Sequence, residues 1–74
     1  MTDITFSDNS FQFEYNGSTI ILTYSYIAYI SVKEAESGLK SLTMGLGNGH
    51  ALTIETTQES CQSLQLRIGM PASV

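Results

Sequence analysis

Apolar and polar residues alternate along most of this chain. From Asp3 to Ser7 they alternate strictly, with Ile4 and Phe6 on one face. Asp8 and Asn9 then read as a turn. From Ser10 to Asn16, Phe11, Phe13 and Tyr15 point one way while Gln12 and Glu14 point the other. A period of two is the mark of a β-strand. Asn16-Gly17 follows, and these two residues tolerate the positive φ angles of a two-residue type I′ hairpin turn. The returning strand is Ser18 to Ser25, with Ile20, Leu22 and Tyr24 on one face. Ile21 and Thr23 occupy the other face, so burial on both sides is expected.

Ser25 to Lys33 is rich in aromatic and β-branched residues, which favours strand. The phase of the alternation slips near Ser25 or Ile27, where a bend, a bulge or a short helical turn is expected. Glu34 to Gly38 is a polar connection. Leu42, Met44 and Leu46 share one side of the next strand, Gly47-Asn48-Gly49 forms a second hairpin turn, and Ala51 to Glu55 returns with Leu52 and Ile54 inward.

The pattern changes at Thr56. Thr56-Thr57-Gln58-Glu59 fits a Thr-x-x-Glu capping box, with Thr56 as the cap. Cys61, Leu64 and Ile68 then recur at helical spacing. Arg67 suits the negative end of a helix dipole, Gly69 suits a helix stop, and Pro71 prevents continuation. One helix over about 57–68 is predicted, with a frayed tail over 70–74. The expectation is a single α+β domain over 1–74. Its strands, within 3–55, form an antiparallel, strongly bent sheet of about five, with the C-terminal helix packed on it. A bent sheet capped by a terminal helix resembles, in outline, small pleckstrin-homology-like domains.

With 74 residues, the chain has room for one domain. So small a chain buries only about 60% of the surface its unfolded form exposes, and such folds often use a staple. Cys61 is the only cysteine, so no disulfide forms within one chain. One Cys and one His cannot supply a four-ligand zinc site, and no metal or cofactor is implied. Self-association is the remaining staple, and a homo-oligomer is expected. An unpaired cysteine suits a reducing compartment. No basic segment precedes an apolar run at the start, so no signal peptide is expected. Ile20 to Val32 is too short and too polar to span a bilayer. A cytoplasmic location is therefore expected, with no membrane partner.

Three Lys or Arg stand against seven Asp or Glu. Nucleic-acid binding through counterion release needs several cations on one face, so no nucleic-acid partner is expected. Ten Ser and eight Thr, about a quarter of the chain, keep its surface polar instead.

Candidate chemistry is sparse. Gly45-Leu46-Gly47-Asn48-Gly49-His50 has the glycines of a phosphate loop but leads into a strand rather than a helix, and no Lys-Ser or Lys-Thr follows. His50 has no adjacent acid to orient it as a general base. Cys61 shares a face with Leu64 and Ile68, as a small buried hydrophobe would. No catalytic residue is assigned, and the chain is not expected to be an enzyme.

The tyrosines are more informative. Tyr24, Tyr26 and Tyr29 fall within six residues, and tyrosine joins an apolar body to a polar tip, as interfaces and ligand pockets require. Tyr24, Tyr26, Ile27 and Tyr29 are therefore the candidate interface or ligand-pocket residues. Lys33, Lys40 and Arg67 are the candidate anion contacts. The first expectation is a small non-enzymatic binding module that self-associates and acts by contact with a protein partner. In size and composition the chain also resembles phage-encoded accessory proteins that inhibit host defence. That resemblance implies either blocking an effector or sequestering a small nucleotide-like signal in inter-subunit pockets. A structural subunit of a larger assembly is a further alternative.

Overall fold

A computed structural model describes residues 1–69. The chain forms β1 (Thr5–Phe6), β2 (Ser10–Tyr15), β3 (Ser18–Thr23), β4 (Ile27–Glu34), β5 (Lys40–Leu46), β6 (Ala51–Thr56) and α1 (Gln58–Ile68). Short 3-10 turns at Tyr24–Tyr26 and Glu36–Gly38 precede β4 and β5. The α+β class holds. The expected single sheet of about five strands is instead two antiparallel three-stranded sheets, β1-β2-β3 and β4-β5-β6.

The break lies where the alternation slips. Tyr24–Tyr26 leave the strand conformation, and β4 resumes with a register irregularity between Ile27 and Tyr29. Ile27 and Ile30, three residues apart, both turn inward and Ala28 stays exposed. A simple strand cannot do this, because its faces alternate every residue. The segment before β1 is also tied to β6 of the second sheet, where the Thr2 amide donates to the Glu55 carbonyl at 2.7 Å.

The first hairpin forms as its turn requires. Asn16 has φ 50° and Gly17 φ 80°, and Tyr15 pairs with Ser18. Positive φ at both turn positions is the type I′ geometry, which matches the natural twist of the flanking strands. In the second turn Leu46 donates to the His50 carbonyl at 2.8 Å, and the His50 amide donates to Asn48 Oδ1 at 3.0 Å.

The inner faces of both sheets and the helix converge on one core. Phe11 and Phe13 come from the first sheet, Ile30, Leu42, Met44 and Ile54 from the second, and Cys61 and Leu64 from α1. The expected two-sided burial of β3 does not occur. Ile21 is 63% exposed, because no layer covers the outer face of the first sheet.

The helix starts one residue later than the capping box implies. Thr57, not Thr56, is the cap, and its Oγ1 accepts from the Ser60 amide at 3.1 Å. Thr56 is the last residue of β6 and points inward, opposite Lys40. It is fully buried, and its hydroxyl finds no partner. A buried hydroxyl without a partner costs about 1–3 kcal/mol in lost solvation. Thr56→Val keeps the shape and removes that cost, so it is expected to stabilise the fold by about 1 kcal/mol. Thermal denaturation checks this, and a lower midpoint would show that the hydroxyl is satisfied after all. At the other end Gly69 adopts φ 71° and its amide donates to the Gln65 carbonyl, closing the helix as anticipated. The tail over 70–74 lies outside the described residues.

Candidate functional site

The helix and core lie against one face of the second sheet, and the other face is open. Three cross-strand rows build it. In the first, Tyr29 of β4 pairs with Gly45 of β5, which pairs with Ala51 of β6. The next row is Ser31, Thr43 and Thr53, and the third is Lys33, Ser41 and Glu55. All share a face because paired residues point the same way and the side-chain period is two.

Tyr29 lies across Gly45. A Cβ at Gly45 would sit 2.0 Å from the Tyr29 ring, so glycine is what lets the ring lie flat on the sheet. Gly45 is buried beneath it while the ring stays 46% exposed. Tyr26 is seated in a similar way: a Cβ at Gly47 would come 3.2 Å from its ring, and the Gly47 amide donates to the Tyr26 carbonyl at 2.9 Å. Tyr26 is 40% exposed. Beside these rings the Thr43 and Thr53 hydroxyls hydrogen-bond across β5 and β6 at 3.0 Å. The result is a shallow surface with aromatic rings at one end, hydroxyls in the middle and one charge of each sign at the far end.

Gly45→Ala is expected to leave the chain folded and to push the Tyr29 ring off the sheet. A misfit methyl costs about 1–3 kcal/mol, and a half-exposed ring can swing away, so about 1 kcal/mol is expected. That is ~4–8 °C in melting temperature, with altered Tyr29 ring resonances by NMR. Unchanged resonances would contradict the stacking.

The other candidates are placed differently. The Tyr24 ring stacks on Phe11 with centroids 5.5 Å apart, and its hydroxyl donates to the Ser7 carbonyl at 2.7 Å. Tyr24 is thus bound into the first sheet. Ile27 is 5% exposed and belongs to the core. Its inward turn follows from the β4 irregularity, so it offers no surface to a partner. The three cations do not meet on one face. Lys33 stands on the open face. Lys40 is paired with Glu34 on the inner side. Arg67 lies over the Phe6 ring, 5.0 Å from its centroid, with Nη1 3.5 Å from the Ser7 carbonyl.

Cys61 is buried, and burial pushes its thiol pKa up, with the nearby Lys40 charge opposing. A thiol held protonated is a poor nucleophile. His50 is exposed beside the second turn. Among the described residues no three His, Cys, Asp or Glu come together as a metal site, and no helix is long and apolar enough to cross a membrane.

Sequence reasoning missed Gly45 and Gly47 as seats for the rings. Gly45 falls at an outward position between Met44 and Leu46, a signal that means something only once the β4–β5 register is known. Comparison with protein-family models, curated proteins and solved structures finds no match.

Proposed function

We propose that this chain is a small non-enzymatic binding module that self-associates and acts by contact with a protein partner. The observation that carries this reading is the pair of half-exposed tyrosines, Tyr26 and Tyr29, seated over glycines at the edge of an uncovered sheet face. A folded chain gains little from large rings left half in water. Rigid tyrosines of this kind supply contact area at low entropic cost when a partner covers them. The test is a Tyr26→Ser/Tyr29→Ser double variant. It is expected to keep its secondary structure by circular dichroism and to lose the association of the native chain by sedimentation. Loss of folding would make the rings part of the core and contradict the reading.

A second reading draws on the Ser31–Thr43–Thr53 row beside Tyr29. Ring and hydroxyls together suit a planar, hydrogen-bonding ligand such as a nucleotide-like signal, sequestered between subunits. Protein purified gently from cells would then show ultraviolet absorbance beyond what four tyrosines give.

A further inference from the structure

We propose that the open face of the second sheet packs on the same face of a second copy, as a two-fold sandwich whose axis runs along β5. This rests on the self-association reading above and specifies its geometry.

Charge and shape on this face are complementary to a second copy of it. Lys33 and Glu55 stand at the two ends of one row, with Ser41 between them. Neighbouring strands are about 4.7–4.9 Å apart, so these charges are roughly 10 Å apart and do not meet each other. Among the described residues the ion pair is Lys40 with Glu34, and neither Lys33 nor Glu55 takes part in one. Both are exposed. A two-fold axis along the central strand lays β4 of one copy over β6 of the other. Lys33 then faces the partner's Glu55, and Glu55 faces the partner's Lys33. The same operation sets the Tyr29 ring over the partner's Ala51, whose methyl leaves room for it, and Thr43 over the partner's Thr43.

Other stackings match less well. Simple translation turns the open face of one copy toward the helix-covered side of the next and sets no like rows against each other. A two-fold across the strands sets Lys33 over the partner's Tyr29 and leaves Glu55 above an alanine with no cation. Face-to-face sheets stack about 10 Å apart within about 30° of alignment, and a C2 interface is self-complementary by construction. The face has only nine residues in its rows. This is a small contact by the standard of about 800 Å² per partner, so association in the micromolar range is expected.

The test is sedimentation equilibrium on the full chain and three variants. By symmetry, Lys33→Glu or Glu55→Lys turns two attractive contacts into two repulsive ones. Each single variant is expected to weaken the dimer by about tenfold or more. The Lys33→Glu/Glu55→Lys double variant restores opposite charges and is expected to return the dimer to within about threefold of the native chain. Both positions are exposed, so all variants should keep the native circular dichroism spectrum. If the native chain is a dimer but the single variants associate equally well, or the double variant fails to recover, this geometry is overturned while self-association stands. If the native chain is a monomer throughout the micromolar range, both readings fall, and the face belongs to a different protein or a small ligand.

Discussion

Phe11→Ala is expected to remove a large share of the fold's stability. Phe11 is 1% exposed and stacks between Phe13, with centroids 6.0 Å apart, and Tyr24 at 5.5 Å. Phe6 approaches it at 6.4 Å. It is the central ring of four and the main apolar contribution of the first sheet to the core. Truncating a buried phenylalanine costs about 3–5 kcal/mol. A chain of 74 residues has a net stability on the order of 4–11 kcal/mol, at about 0.05–0.15 kcal/mol per residue. The loss is therefore between about a third and the whole of it. At fixed protein concentration the thermal midpoint should fall on the order of 20 °C. A fall of less than about 5 °C would show that the two sheets do not depend on this cluster.

Leu64→Ala is the second large effect. Leu64 is fully buried and, with Cys61, forms the helix's contribution to the core. Removing a buried leucine costs about 2–5 kcal/mol, with the cavity left behind setting the value. The helix is eleven residues long and too short to hold its shape alone, so it should detach before the sheets melt. Cys61 reports that event. Its thiol is buried and its pKa raised, so thiol reagents should label it slowly in the native chain and far faster in Leu64→Ala. Equal labelling rates in the two would mean that the helix opens freely even in the native protein.

Strict alternation located β2 and its hairpin, because a period of two with Asn16-Gly17 between the runs has one economical solution. The helix end at Gly69 was legible for the same reason: a left-handed stop wants glycine. What the pattern could not convey was coverage. Alternation says which residues share a face, not whether another layer lies over that face. Ile21 read as buried and is exposed, and Ile27 read as surface and is core. The helix start slipped by one because Thr56 and Thr57 are both competent caps. The choice went to the residue whose neighbour could be buried in β6. The tyrosines were legible as a cluster but not as individuals. Tyr24 is claimed by Phe11 and the Ser7 carbonyl, whereas Tyr26 and Tyr29 rest on glycines that become their neighbours only through sheet register.

The open face of the second sheet is proposed as the working surface, covered by a second copy. Native mass spectrometry of gently purified protein tests this most directly, because it reads subunit number and bound mass together. A discrete dimer of the 8.1 kDa chain with no added mass is expected, lost in the Tyr26→Ser/Tyr29→Ser variant. A monomer throughout the micromolar range, or a dimer that survives the loss of both rings, would contradict it.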